Sequence, residues 1–496
     1  MGWRDPGLAD PDRRSRRGLR RDGNDQTGSS ALFSHIKLAH AEPVGIGIVT
    51  FLPGLPRLYS NILVTFGRQF AAGFLRVAVT LVVARILGPA GAGAYAIAML
   101  LPTLMGQLLN LGMASSNVYF IASAQFEKEQ VWATSRNVSL IMSIVGIIFG
   151  ILLICFAGDK VFPGVPRSVL YLTIFTLPSI LILGMIGSIF QAEEDFSSYN
   201  MVNLIEPVSS LIIVTVIAVI GNATLVSISA ATVASYMVAT AISLIFVSTK
   251  FSIFAVGKEK YSYFRKSIIY SIVSHASNIT TFLNYRLDLF LVNLLAGPHA
   301  AGLYSVAVKL AEQVWIISQA VSTVVFPRLS AMVQDEAGRR SLTPAIARAT
   351  LWVTLLASGV LAALGQPLIE LMFGAEFRGA ALMFLLLLPG IALFSCSRVL
   401  ANDLAARGLV SVNFAMAIGA LVLNTVGNVV LIPRYGAFGA AAVTSAVYGL
   451  DLVVRLALQR RFTSADWRTI VLPTRQDVQL MQGLVTSLLG SKNARP

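Results

Sequence analysis

Long apolar runs separated by short polar intervals fill the chain from about residue 60 to residue 458. Each run is about 20 residues or longer, the length a helix needs to cross a hydrocarbon layer about 30 Å thick. Twelve spanning helices are predicted, at 62–87, 94–121, 138–157, 168–190, 201–220, 224–247, 268–295, 301–326, 347–367, 379–399, 410–432 and 437–457. A membrane barrel would instead need short strands of about ten residues that alternate apolar with polar positions. The expected fold is therefore an all-α polytopic bundle. Four regions follow from the same pattern: a basic tail over 1–59, one six-helix lobe over 60–250, a second over 251–458 and a basic tail over 459–496. Residues 43–57 are broken by Pro43, Pro53 and Pro56 and are too short to span, so they are expected at the membrane interface. A weak amphipathic pattern near 476–489 is expected to rest on the inner leaflet.

Composition agrees with this pattern. Hydrophobic residues make up 55% of the 496 residues, charged residues only 12%, and mean hydropathy is +0.73. A soluble domain carries about 25% charged residues, so a water-facing surface could not be covered here. The net charge of +14 would ordinarily suggest a nucleic-acid partner, but the cations do not gather on a globular face. They lie in the N-terminal tail (Arg13, Arg14, Arg16, Arg17, Arg20, Arg21) and between apolar runs, and no nucleic-acid partner is expected. No apolar segment and cleavage site of the kind a leader peptide needs follow the arginines.

The loop charges orient the bundle. With the N-terminus in the cytoplasm, the inner loops hold Lys128 and Arg136, then Lys250, Lys258, Lys260, Arg265 and Lys266, then Arg328, Arg339, Arg340 and Arg348, then Arg398 and Arg407; the C-terminal tail adds Arg460, Arg461 and Arg468. The outer loops hold only Lys160, Arg167, Arg378 and Arg434. Cytoplasmic loops carry such an excess of Lys and Arg, so both ends are expected inside the cell.

Several chemistries are absent from the pattern. Cys155 and Cys396 sit in apolar runs without a metal or disulfide spacing. His35, His40, His275 and His299 lack metal-ligand spacing. There is no glycine-rich loop ending in Lys-Ser/Thr for a nucleotide. No enzyme activity, cofactor or metal is expected.

The chain repeats itself. Residues 88–95 read Gly-Pro-Ala-Gly-Ala-Gly-Ala-Tyr and residues 297–304 read Gly-Pro-His-Ala-Ala-Gly-Leu-Tyr, which at an offset of 209 aligns Gly88 with Gly297, Pro89 with Pro298, Gly93 with Gly302 and Tyr95 with Tyr304. Both copies join an odd helix to an even one, six helices apart, so the two halves keep the same orientation. Such parallel repeats are related by an axis along the membrane normal. Two lobes imply a central cleft, and rocking them about it would give alternating access.

The paired segments carry a resemblance. Residues 285–330, beginning YRLDLFLVNLLAGPHAAGLYSVAVKLAEQ, and the first helix pair, GRQFAAGFLRVAVTLVVARILGPAGAGAYAIAMLLPTLM, resemble bacterial polysaccharide flippases, with Phe196, Tyr199 and Asn200 similar to that family's inner loop. These belong to the multidrug/oligosaccharidyl-lipid/polysaccharide exporter superfamily. The similarity covers about residues 60–458. It implies a two-lobed twelve-helix fold and a substrate of undecaprenyl-pyrophosphate-linked oligosaccharide, carried from the inner to the outer leaflet of the bacterial inner membrane. It implies membrane lipids as further partners, with a polysaccharide polymerase and export machinery alongside. The alternatives are a cation-coupled multidrug efflux antiporter of the same superfamily and a membrane-embedded glycosyltransferase or polymerase. The antiporter would want an acid-dominated cavity, and the transferase a long polar loop that the short outer connections do not offer.

Ionisable groups at membrane depth are costly and usually face a cavity. Arg68, Arg76 and Arg85 in the first helix either dock a pyrophosphate, whose oxygens match a guanidinium fork, or serve structure, Arg68 and Arg76 by pairing between helices and Arg85, near the outer end, by snorkelling. In the seventh helix Ser274, Asn278, Thr281, Tyr285 and Asp288 share one face, which either lines a cavity or forms a helix seam. Arg286 lies off that stripe. Lys309 can pair with Glu312 one turn on, or join the first-helix arginines as a substrate contact. Gln107 and Asn110 in the second helix suit sugar hydroxyls or a helix seam. The candidate substrate-binding set is Arg68, Arg76, Lys309, Gln107, Asn110, Asn278 and Tyr285. Asp288, Glu206 (which precedes Pro207 in the fifth helix) and Glu312 are candidates for ion coupling or charge balance.

Overall fold

The computed structural model describes residues 55–221, 223–252, 260–332, 335–463 and 466–474. The expected tail before residue 55 and the amphipathic stretch near 476–489 lie outside the described residues. Among those residues all regular structure is helical, without a strand. The helices are α1 (Leu55–Leu109), α2 (Met113–Ala122), α3 (Lys128–Val161), α4 (Arg167–Thr173), α5 (Leu177–Ala192), α6 (Phe196–Ile220), α7 (Leu225–Ser248), α8 (Lys260–Ala311), α9 (Trp315–Ala331), α10 (Glu336–Phe373), α11 (Arg378–Ala406), α12 (Val410–Tyr435), α13 (Ala437–Thr463) and the short α14 (Trp467–Val471).

Among the described residues, ten apolar helical stretches are long enough to cross a membrane. Two of them hold a reversal. Gly88 (φ 64°) interrupts α1 and Gly297 (φ 83°) interrupts α8; each stands in the left-handed region that a residue with a Cβ avoids. The chain turns back at Gly297, because Tyr304 bonds Asp288 at 2.6 Å across it; along a continuous helix those residues would lie about 24 Å apart. It turns back at Gly88 too, since Arg76 and Thr103 line one cavity. Dividing the two stretches gives twelve spans in two six-helix lobes around a central cleft.

Three spans are less regular than their hydropathy. The second breaks at 110–112, where Leu111 (φ 52°) and Gly112 (φ 70°) are both left-handed. The Asn110 side chain accepts from the Gly112 amide at 2.7 Å. The interruption leaves carbonyls without helical donors. Two of these bond α8: Leu111 O accepts from Ser271 Oγ at 2.9 Å, and Leu108 O pairs with His275 Nε2 at 3.1 Å. The fourth and eighth spans each contain a 3-10 turn, Ile174–Thr176 and Glu312–Val314.

Burial is inverted relative to a soluble bundle. On α3 the buried positions are largely small, among them Ser135, Ser139, Ser143, Gly146, Gly150 and Gly158. Its outward residues include Ile144, Ile148, Phe149 and Phe156. Lipid tails are as apolar as leucine, so helices associate through close packing of small residues and internal hydrogen bonds. Gly146 and Gly150 admit Leu177 and Ile174 into contacts that a Cβ would block.

The repeat is visible in how the lobes meet. A Cβ on Gly93 would stand 1.8 Å from the Pro298 carbonyl oxygen, and one on Gly302 would stand 1.8 Å from that of Pro89. The two contacts exchange under the offset of 209. Tyr95 bonds Thr232 of α7 at 2.9 Å, and Tyr304 lies 3.5 Å from Thr444 of α13. The glycine-rich turns thus close the cleft at one face of the bundle, called the glycine face below.

Candidate functional site

The cleft contains a cavity of about 440 Å³ whose polar wall comes from both lobes. α1 contributes Arg76 and Thr80 before Gly88 and Tyr95 and Thr103 after it. α6 contributes Glu206 and Ser210, and α7 Thr232 and Tyr236. α8 contributes Tyr285, Arg286 and Asp288 from its first arm, and Tyr304, Ser305 and Lys309 from its second. A second cavity of about 440 Å³ shares Arg76, Tyr285, Arg286 and Lys309 with the first and extends away from the glycine face. Its lining adds Tyr199, Asn200, Asn203, Glu312, Gln313, Trp315 and Gln319. Together they form a polar passage that ends beneath the glycine turns.

The charges in this passage are unevenly satisfied. Arg286 grips Glu312 with two nitrogens, Nη1 to Oε1 at 2.8 Å and Nη2 to Oε2 at 3.4 Å. This forked pairing matches a planar guanidinium to a carboxylate. The pairing of Lys309 with Glu312 within one helix, open from their spacing, is displaced: the 3-10 turn carries Glu312 toward Arg286 instead. Asp288 is 4% exposed. Its Oδ2 accepts from Tyr304 Oη at 2.6 Å and its Oδ1 from the Leu289 amide at 2.7 Å. It ties the two arms of α8 and makes no ion pair with an arginine among the described residues. Arg76 and Lys309 have side chains without a hydrogen bond or ion pair among the described residues, and so does Glu206. The unpaired groups are two cations and one anion.

Several candidates lie elsewhere. Asn110 caps the break in the second span. Asn278 is exposed on α8 and, with Ser274 and Thr281 of the same stripe, is not part of either polar lining; Gln107 also lies outside both. The side chain of Arg68 is outside the described residues. Arg85 donates from Nε to Met372 O at 2.6 Å and from Nη2 to Leu371 O, capping the end of α10. Asp451 and Arg455 pair at 2.9 Å inside the second lobe, where Ser397 and Asn413 complete their bonds.

An aromatic cluster beside the passage was not legible as a site. Tyr285 and Trp315 pack with ring centroids 4.9 Å apart, and Trp315 also meets Phe394 and Tyr448. The Arg398 guanidinium lies 5.5 Å from the Trp315 ring centroid and 5.7 Å from that of Phe394, and its Nη2 reaches Tyr285 Oη at 3.4 Å. The loop charges placed Arg398 in an inner connection. It is instead within α11, inside the predicted run 379–399, and the helix continues to Ala406. Trp315 is 6% exposed, and its buried Nε1 has no hydrogen-bond partner among the described residues.

Known proteins match this fold and this sequence. The family model described as polysaccharide biosynthesis protein matches residues 82–382, more than half of the chain. A Haloferax volcanii protein assigned as a low-salt glycan biosynthesis flippase is 22% identical over 227 residues, covering 43% of this chain and 47% of that protein, so the match spans about half its length. A Shigella flexneri protein assigned as an O-antigen transporter is 24% identical over 398 residues, 77% of this chain and 92% of that one. Among solved structures, the lipid II flippase MurJ in an inward closed conformation aligns with a TM-score of 0.69 at 15% identity, over 80% of this chain and 87% of its own. An inward-facing multidrug resistance MATE transporter of the MOP superfamily aligns with a TM-score of 0.66 at 12% identity, over 79% and 94%. The chain belongs to the polysaccharide biosynthesis protein family, and its fold is the two-lobed one of these transporters.

Proposed function

We propose that this member of the polysaccharide biosynthesis family is a flippase for a lipid-linked oligosaccharide on an undecaprenyl-pyrophosphate-type carrier. It moves its substrate from the inner to the outer leaflet of the bacterial inner membrane. The observation that carries this reading is the pair Arg76 and Lys309. Both line the passage between the lobes, and neither is neutralised by a bonded carboxylate among the described residues. An unpaired cation at membrane depth is expensive unless an anion or water meets it, and a pyrophosphate supplies the anion. Tyr285, Trp315, Asn200, Asn203 and Gln313 offer stacking faces and amides suited to sugars.

The glycine face is the outer one in this reading. Only four cations are expected there (Lys160, Arg167, Arg378 and Arg434), against the larger number in the connections of the opposite face, which is the Lys and Arg bias of cytoplasmic loops. The passage then opens inward, and the Gly93 and Gly302 contacts form the closed outer gate of an alternating-access cycle. Glu206 is the carboxylate for coupling to an ion gradient, because Asp288 and Glu312 are committed to Tyr304 and Arg286. Polymerase and export machinery would receive the product on the outer side.

The fold alone fits a multidrug antiporter equally, and Glu206 is the feature that favours it. The paired acids weigh the other way. One experiment separates the two. In a strain lacking the gene, lipid-linked oligosaccharide accumulates on the cytoplasmic face, and the wild-type chain restores export. Absence of that accumulation, with loss of drug resistance instead, overturns the flippase reading.

A further inference from the structure

Beside the polar passage lies a third cavity, of about 450 Å³. Its walls include Leu104 and Leu108 of α1, Val145 and Phe149 of α3, and Leu287 and Phe290 of α8, with neighbours of the same character. The aliphatic stem of Arg286 is its one ionisable contributor among the described residues. Leu100, Phe282 and Arg286 line this groove and the charged cavity alike, so three side chains form the partition between them.

The position of the groove is informative. It follows the seam between the second span of one lobe and the seventh span of the other. The repeat pairs that seam with the one between the first and eighth spans. There the lining is polar: Arg76, Gln313 and Gln319, with Asn200 and Asn203 nearby. Two seams equivalent by descent therefore differ in chemistry, one apolar and one polar. A ligand with one charged end and one hydrocarbon end fits that division, with its head at Arg76 and Lys309.

We infer that the groove between α1, α3 and the first arm of α8 holds the hydrocarbon chain of the substrate whose head the central cavity takes. This rests on the lipid-linked reading above. The groove does not draw the chain in by hydrophobic force, because a bilayer is as apolar as leucine. It fixes where the chain leaves the bundle: through the 2/7 seam, past Phe282, while the sugars keep the polar mouth. Phe282 and Leu100 would turn aside as the chain enters.

Photo-crosslinking of the full chain in lipid nanodiscs tests this. The probe is radiolabelled undecaprenyl pyrophosphate. Benzoylphenylalanine replaces Leu104 or Phe149 in the groove, or Ile212 on α6 as a control. Phe149 and Ile212 are 59% and 58% exposed, so bulk lipid would label both alike. The expected result is labelling at 104 and 149 about tenfold above 212, lost when Arg76→Gln and Lys309→Gln are combined, with each variant monodisperse. Equal labelling at 149 and 212, or groove labelling that survives the double variant or is displaced by excess phosphatidylglycerol, overturns the assignment. If the wild type binds the probe saturably in those cases, the flippase reading stands without the groove. If the wild type does not bind the probe saturably, that reading falls and the groove with it.

Discussion

Adding one methyl group at Gly93 should hold the glycine face open. In Gly93→Ala the new Cβ would lie 1.8 Å from Pro298 O, 2.6 Å from the Gly302 nitrogen and 2.8 Å from the Pro298 carbonyl carbon. An ordinary carbon–oxygen approach is about 3.3 Å, so the two backbones must part by about 1.5 Å. No rotamer change can provide this, because all three atoms are backbone. Overpacking of a close contact costs about 1–3 kcal/mol. If the cost falls only on the closed state, the lobe equilibrium shifts about 5- to 150-fold toward opening at this face. Gly302→Ala meets Pro89 O at the same 1.8 Å and should act alike. The double variant should gain less than the product of the two, since one opening relieves both contacts. The readout is a cysteine at Ser305, a lining position 8% exposed, in a chain with Cys155→Ser and Cys396→Ala. A maleimide that does not cross membranes is applied to whole cells. Faster labelling in both alanine variants, with slower export, is expected. Unchanged labelling in folded variants, or failure of either variant to fold, refutes the gate.

Four further predictions concern charged side chains in and outside the passage. Arg76→Gln and Lys309→Gln should each lower restored export at least about tenfold, the loss expected for one charged contact worth about 1.4 kcal/mol or more. Arg85→Gln should keep export per folded molecule but lose roughly 1.5–3 kcal/mol of stability in detergent melts, since its guanidinium caps α10. Arg286→Met and Glu312→Leu should each destabilise by about 3–5 kcal/mol, because each leaves a partner charge largely buried; the double variant should lose less than the sum, and strict additivity in a thermal-melt cycle would rule the pair out. Asp195 caps α6, accepting from the Ser198 amide at 3.1 Å, Ser198 Oγ at 2.6 Å and Lys250 at 3.3 Å. Burial pushes its carboxyl up, but the Ser198 and Lys250 bonds outweigh this and hold it below the ordinary value. Its stabilisation is therefore complete above the ordinary carboxylate range and fades as pH falls through the lowered one. Asp195→Ala should cost about 1 kcal/mol at neutral pH, and the gap from wild type should close below about pH 4.

Hydropathy located the spans well because crossing a bilayer demands an unbroken run of apolar residues. It missed what extends beyond the bilayer. α3 begins at Lys128 and α10 at Glu336, ten or so residues before the apolar runs, where polar residues continue the helix into water. α10 starts on Asp335, whose side chain accepts from the Gly338 amide at 2.8 Å; that cap was readable but carries no hydropathy. The count of loop charges placed Arg398 in a connection although the predicted run 379–399 already contains it. The break at 110–112 had a signal in Asn110 and Gly112, both tolerant of left-handed backbone, and it explains why Asn110 serves its own turn. The polar stripe of the seventh helix reaches the cavity only in its second half: Tyr285 and Asp288 line it, while Ser274, Asn278 and Thr281 lie outside both polar linings, because the cleft occupies only part of the membrane depth.

The repeat also separates scaffold from site. Residues that build the lobe contact follow the offset of 209: Gly88 and Gly297, Pro89 and Pro298, Gly93 and Gly302, Tyr95 and Tyr304. Charged residues in the passage break it. Arg76 stands opposite Tyr285, Arg286 opposite Val77, Asp288 opposite Val79, Lys309 opposite Leu100 and Glu312 opposite Thr103. A contact that lets two lobes rock is best made from two equal halves. A binding passage for a ligand with unlike ends cannot be symmetric, because one end needs cations and the other needs hydrocarbon. The difference between the polar 1/8 seam and the apolar 2/7 seam has the same origin. Where a duplicated membrane protein departs from its own repeat at membrane depth, the cost of each buried charge makes those positions the first to examine for function.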